Sequence, residues 1–263
     1  MKLINRMKKN NIKIKISAVS YLNTKPLVYG IKNKLDKNSY SLSLDTPSGC
    51  AEKLLSGKAD LGLVPVAIIP EMKKYFFISD YCIGAVGAVG SVMLYSDAPL
   101  KKIEKILLDY QSRTSVLLVQ LLSEKFWKIK PEWIKARKGF EKKIKSTTAA
   151  VIIGDRTFQL RGKYKYAYDL SQEWYQFTHL PFVFACWVSS KKLSSAFIND
   201  FNKALEYGLD NRAKLIEGLK KTNRYSFDLK KYLMTNINYD FDKSKKRGME
   251  KFLLYAKELS AVY

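Results

Sequence analysis

The 263-residue sequence contains a single histidine and three cysteines, at positions 50, 82 and 186. One imidazole cannot complete a His-rich ligand set, and three widely spaced cysteines without a CxxC pair exclude both a disulfide framework and the common zinc centres. Glycine (13 residues) and proline (7 residues) are too few for a collagen-like or low-complexity chain. Long apolar runs are missing as well. The longest weakly polar stretch, Cys82 to Tyr95, is interrupted by glycines and too short to span a bilayer as a helix. The basic N-terminus, Met1 to Asn11, runs into Ile12-Lys-Ile-Lys-Ile16 without an apolar h-region or a small-residue cleavage site. It does not read as a signal peptide, and a soluble, cytoplasmic protein is expected.

What is present is apolar mass and positive charge. With 47% hydrophobic and 13% aromatic residues the chain can bury a core as one large domain or two small ones. Lys and Arg outnumber Asp and Glu by 47 to 24, for a net charge of +23. Nucleic acid, an anionic membrane or a small acidic ligand would each answer that excess. The bases are spread along the chain, however, and never form a block of five. A solvated Lys-rich surface accounts for most of them, and neither nucleic acid nor membrane is an expected partner.

The order of elements points to an α/β fold in two lobes. Ile12 to Ile16 alternates like a strand and opens into the polar loop Ser17-Ala-Val-Ser-Tyr-Leu-Asn-Thr-Lys-Pro26. A helix over Leu27–Ile31, a strand over Tyr40–Leu44, a helix capped by Ser48 and stopped by Gly57, and a buried strand over Ala59–Pro65 follow. A second α/β alternation begins after the turn at Ser96–Leu100, with strands near 106–109, 149–155 and 166–170 and an apolar helix over Val116–Trp127. The apolar segments 92–96 and 183–188 then read as hinge strands. This predicts a discontinuous first lobe (1–95 plus 188–263) and an inserted second lobe (96–187). Each would hold a mixed, mostly parallel sheet flanked by helices, with the ligand cleft between them.

Several clusters carry candidate chemistry. Gln111-Ser-Arg-Thr-Ser115 follows a strand and opens the apolar helix, where hydroxyls, a helix N-terminus and Arg113 suit a carboxylate or phosphate, or simply a well-capped helix. Asn23 offers fixed donors and an acceptor that can orient a hydroxyl or face developing negative charge; an Asx-turn is its structural use. Asp155 ends a buried strand, as a ligand contact or base, or as the partner of the adjacent helix N-terminus. Gly84-Ala-Val-Gly-Ala-Val-Gly90 matches neither a phosphate loop nor a dinucleotide fingerprint, so its glycines are assigned to close packing or ligand approach. His179, without a triad partner in view, is read as a non-catalytic loop residue.

Five segments in order, Ser17–Pro26, Gly90-Ser-Val-Met-Leu-Tyr-Ser96, Ser112-Arg-Thr-Ser115, Ile153-Gly-Asp-Arg156 and Leu180-Pro-Phe-Val-Phe-Ala185, together resemble the chorismate dehydratase family of the futalosine route to menaquinone. The resemblance covers residues 12–188. It implies the two-lobed, type II periplasmic-binding-protein-like fold and a cofactor-independent lyase without a metal, converting the chorismate dianion to 3-[(1-carboxyvinyl)oxy]benzoate and water. It further implies that Asn23 and Ser91 act in catalysis. Tyr21, Thr46, Ser48, Ser112, Arg113, Thr114, Ser115, Gly154 and Asp155 are the expected substrate contacts. The base is left open, and a substrate carboxylate can serve. Where the pattern has glycine before Leu-Pro-Phe, this chain has His179, which predicts a shifted loop or an altered cleft wall. The alternative is a non-catalytic binding protein for an aromatic or dicarboxylic anion, as monomer or homodimer.

Overall fold

The computed structural model describes residues 13–260. The basic N-terminal segment, on which the signal-peptide reading rests, lies outside the described residues. The first half contains β1 (Ile14–Val19), α1 (Lys25–Lys34), β2 (Tyr40–Asp45), α2 (Pro47–Leu55), β3 (Leu61–Pro65) and β4 (Phe76–Ala85). Next come β5 (Val92–Ser96), β6 (Lys105–Leu108), α3 (Thr114–Leu121), β7 (Glu132–Lys135), β8 (Thr148–Ile153), β9 (Tyr166–Asp169) and α4 (Leu170–Thr178). The chain ends through β10 (Phe182–Ser189), α5 (Ser195–Asp210), α6 (Arg212–Thr222), the short α7 (Leu229–Lys231), β11 (Asn238–Asp240) and α8 (Lys243–Ser260).

Two sheets result. The first runs β11-β4-β10-β3-β1-β2 and the second β7-β6-β8-β5-β9. Both are mixed, as expected. β1 pairs in parallel with β2 and β3, and β6 with β7 and β8, whereas β10, β11 and β5 make antiparallel pairs. The parallel share is therefore smaller than the α/β alternation predicts, because the strands that carry the chain between sheets enter in the opposite direction. The predicted lobe limits at 95/96 and 187/188 fall inside strands: β5 lies in the second sheet and β10 in the first, between β3 and β4. They do not pair as a two-stranded hinge. The changes of sheet occur in residues 86–91 and 179–181.

β4 and β11 have no counterpart in the sequence expectations. Bulges where β4 meets β10 and β11 break the two-residue alternation that would reveal it. The cap of α2 is Thr46, whose hydroxyl accepts from the Gly49 amide at 3.2 Å, and not Ser48, because Pro47 takes the first helical position and sets the cap two residues earlier. The apolar helix begins at Thr114 and continues as a π-helical turn from Leu122 to Trp127.

One apolar core runs through both lobes, joining Leu61 and Val64 of the first sheet to Leu94, Ile106 and Val151 of the second. Trp174 of α4 packs edge-on against Phe182 of β10 and Phe252 of α8, so C-terminal helix, crossing strand and second lobe share one aromatic cluster. The three cysteines are buried and free. Among the described residues no helix is long and apolar enough to cross a membrane. His179 takes the left-handed conformation itself, with φ 56°, as the residue ending α4. The loop thus keeps the turn a glycine would make, and the side chain is exposed rather than forming a cleft wall.

Helix α1 carries the Tyr21–Thr24 turn at its N-terminus, so its seating matters for the site. It crosses α5 at a glycine pair. A Cβ on Gly30 would overlap the Ala204 carbonyl, and one on Gly208 the Pro26 carbonyl. Because the obstacle is backbone, only separation of the helices relieves it. Gly30→Ala is expected to destabilise the protein by about 2 kcal/mol by overpacking, more than the roughly 1 kcal/mol alanine gains in helix propensity. Urea unfolding measures this; a Gly30→Ala protein as stable as wild type would show that the helices part freely.

Candidate active site

The C-terminal end of β1 passes into a short 3-10 turn, Leu22–Thr24, before α1 starts with Pro26 in its first turn. This turn faces the second lobe, and a cleft lies between them. Asn23, Ser91, Tyr21, Ser112, Thr114, Ser115 and Gly154 all line it, so seven of the eleven expected site residues converge there. The walls are otherwise apolar, from Val19, Ile83, Val92, Ile153 and Phe184 among others.

The remaining four are placed elsewhere. Thr46 and Ser48 spend their hydroxyls at the start of α2, 3.2 Å from one another, and only the intervening Pro47 reaches the cavity. Arg113 turns outward to Glu71, 3.0 Å away, in a pair that is largely exposed on both sides. Asp155 does not line the cavity; both its oxygens accept from the Leu22 amide, at 3.2 and 3.3 Å. It thus serves the N-terminus of the opposite lobe's turn. Burial raises its pKa against the opposing effect of that hydrogen bond.

The seam around the cavity is a set of contacts between lobes. Tyr21 donates to Gln111 Oε1, and its ring lies on Gly154, where φ is +67° and a Cβ would strike the ring at 2.7 Å. Thr114 donates to the Phe184 carbonyl at 3.2 Å and accepts from the Ala67 amide at 3.3 Å, so its hydroxyl is committed to the closed seam. Ser112 accepts from the Ser115 amide at 3.0 Å, capping α3.

Each central polar group is held from behind. Tyr239 donates to the Asn23 carbonyl at 2.8 Å, and Asn23 Oδ1 accepts from the Thr24 hydroxyl at 3.2 Å. Ser91 follows Gly90, whose φ of +73° shapes the turn and whose amide donates to Asp169 at 2.6 Å. Asp169 also caps α4. Gly84, by contrast, permits close approach of the Phe182 carbonyl, so the Gly84–Gly90 run serves both packing and site geometry.

Charge is absent from the lining. No Lys, Arg, His, Asp or Glu appears among the described residues that line the cavity, and Tyr21 is the one titratable side chain there. Its pKa is pushed up, chiefly by burial and further by Asp109, so it stays a neutral donor. The cavity lining is therefore neutral, and the net charge of +23 is not drawn from it. Arg113→Ala should leave the Michaelis constant for the substrate unchanged and cost at most about 1 kcal/mol, as exposed ion pairs do. Steady-state kinetics decides this; a several-fold rise in the constant would return Arg113 to substrate binding.

The sequence expectations miss one residue beside the cavity. Tyr232, in the π-helical turn after α7, is 1% exposed; burial raises its pKa against the opposing effect of the Ser91 and Asn23 side chains, and its phenol oxygen makes no hydrogen bond among the described residues. Its ring packs against Phe158 at 4.8 Å and Phe227 at 5.9 Å between centroids. It lies more than 140 residues from Ser91 in a helix-forming segment without a motif, so no local pattern marks it.

Comparison with known proteins adds the following. A family profile described as menaquinone biosynthesis matches residues 14–258. The chorismate dehydratase of Thermus thermophilus is 25% identical over 228 residues, covering 78% of this chain and 83% of that one. Among solved structures, protein AF1704 of Archaeoglobus fulgidus superposes with a TM-score of 0.75 at 14% identity, over 95% of this chain and 98% of its own. The Candida albicans CA3427 product, which shows the generic periplasmic-binding-protein fold, superposes with a TM-score of 0.59 at 12% identity, over 94% and 90%. At these identities the structures speak to the fold, which is the two-lobed periplasmic-binding-protein type expected from the sequence resemblance.

Proposed function

The chain belongs to the menaquinone biosynthesis family, and from that premise we propose that it dehydrates chorismate to 3-[(1-carboxyvinyl)oxy]benzoate. The observation that carries this reading is the cavity's polarity: an amide and hydroxyls set in apolar walls, with no ordinary acid or base among the lining residues. Such a site suits a reaction whose driving force and proton acceptor reside in the substrate.

Chorismate meets that requirement. Its C3–H bond is vinylogous to the ring carboxylate, so charge released on deprotonation spreads into that group. The C3–H electron pair becomes the C3–C4 π bond, the C4–O bond breaks, and the proton and hydroxide leave as water. The ring becomes aromatic, with no net oxidation or reduction. A carboxylate of the substrate, taken out of water by the apolar walls, is the proton acceptor in this reading. Asn23 Nδ2 and Ser91 Oγ supply fixed donors to the departing oxygen or to the carboxylate that gathers charge. The Ser112–Ser115 start of α3 holds a carboxylate through neutral donors and the helix dipole.

Purified protein mixed with chorismate should consume its diene absorbance and yield an aromatic product lighter by one water, identified by mass spectrometry. Chorismate that binds and is recovered unchanged would instead support a non-catalytic anion receptor.

A further inference from the structure

We propose that Asp155 is a positioning residue of this site: from the second lobe, its carboxylate caps the turn that carries Asn23 and so fixes Asn23 relative to Ser91 across the lobe boundary. The kinetic part of the proposal rests on chorismate dehydration being the reaction.

The Leu22–Thr24 turn is left uncapped by its own segment. A helical turn has no internal acceptor for its first amides, and the usual remedy is a side chain at the N-cap position itself. Tyr21 holds that position and makes no such bond. The Leu22 amide finds its acceptors 133 residues away instead, in the two oxygens of Asp155 at 3.2 and 3.3 Å. An ionised acceptor at a turn N-terminus is the stronger kind of cap, favoured by both charge and dipole.

The segment that supplies this cap also holds Ser91. The Gly154 amide donates to the Ser91 carbonyl at 2.9 Å, and the Thr157 hydroxyl donates to the carbonyls of Gly154 at 2.8 Å and Gly90 at 3.3 Å. Gly154 and Asp155 thus grip Ser91 on one side and Leu22 on the other. Between them the Tyr21 ring lies so close to Gly154 that no Cβ fits, which leaves this step little room to shift. Tyr239 of β11 ties the Asn23 carbonyl within the first lobe, whereas Asp155 ties the turn to the lobe that carries Ser91. Asp155 is not part of the cavity lining, so it acts through the Leu22 amide and not on the ligand.

Two substitutions test this. Asp155→Ala removes the cap; Asp155→Asn keeps an oxygen that can accept from Leu22 and removes the charge and the basicity. A catalytic group displaced by about 1 Å can cost on the order of 10²-fold, so kcat should fall about tenfold to a hundredfold in Asp155→Ala and stay within about threefold of wild type in Asp155→Asn. KM should change by less than about threefold in both, because the Tyr21–Gln111 and Thr114–Phe184 bonds still hold the seam. Added to Asn23→Ala, Asp155→Ala should lower kcat no further, since its effect passes through Asn23. Wild-type kcat in Asp155→Ala, equal losses in the two single variants, or additive losses in the double variant would each overturn the proposal. A kcat below about a tenth of wild type in Asp155→Asn does so even where Asp155→Ala fails to fold.

Amide hydrogen exchange reads the same contact without turnover. The Leu22 amide should be protected in wild type and in Asp155→Asn, and should exchange at least about tenfold faster in Asp155→Ala. An unprotected Leu22 amide in wild type, or an unchanged rate in Asp155→Ala, would remove the cap. Should wild type leave chorismate unchanged, the dehydratase reading falls, and the exchange rate still decides the Asp155–Leu22 contact.

Discussion

Asn23→Ala is expected to lower kcat by about 10²- to 10³-fold, as loss of one preorganised donor at a site of developing charge does. Ser91→Ala is expected to fall in the same range. Both side chains line the same cavity, and no charged group there can take over their part. The fold should survive either change, because what holds these positions is backbone. Tyr239 grips the Asn23 carbonyl and Asp169 the Gly90 amide, and alanine keeps both. Unfolding midpoints close to wild type, with near-complete loss of turnover, are the expected pair of results. Turnover within about twofold of wild type in both variants would remove them from the chemistry.

The second large effect concerns stability. Asp109 closes the β6 strand with a fully enclosed carboxylate that accepts from the Ile153 amide at 3.1 Å, the Gln111 amide at 3.0 Å and the Arg156 guanidinium. Arg156 also reaches Glu141 at 2.7 Å. Asp109→Ala removes the acceptor for two backbone donors and one of the two carboxylate partners of the half-buried Arg156, which places its cost at about 3 kcal/mol. Gln111 is the partner of the Tyr21 hydroxyl, so the same change should also loosen the lobe seam and raise KM in whatever protein remains folded. Urea unfolding at neutral pH measures the first effect; a loss below about 1 kcal/mol would mean the network relaxes around the missing carboxylate.

These side chains show what was legible from sequence. The polar loop after β1, the Ser112–Ser115 helix start and Ser91 were readable because each sits within a few residues of an alternating strand or apolar helix that fixes where it points. The two-lobed α/β fold followed from the order of such units. Arg113 faces Glu71 and not the cavity, and a basic residue at a helix N-terminus carries no local sign of so distant a partner. Asp155 stood between two uses, and only the opposite lobe's Leu22 amide decides. The placement of β5 and β10 depends on antiparallel pairing with strands far along the chain, which periodicity does not encode. The net charge of +23 pointed toward an anionic ligand, yet the lining that meets the ligand carries none of it.

The central claim is that this neutral cavity dehydrates chorismate without a titrating protein base. The pH dependence of chorismate turnover tests it most directly. The account predicts turnover with a kcat that is level from about pH 6 to pH 9 and falls only toward the acid range where a substrate carboxylate takes up a proton. Absence of turnover, or a kcat that rises through a single ionisation within that interval, would contradict it.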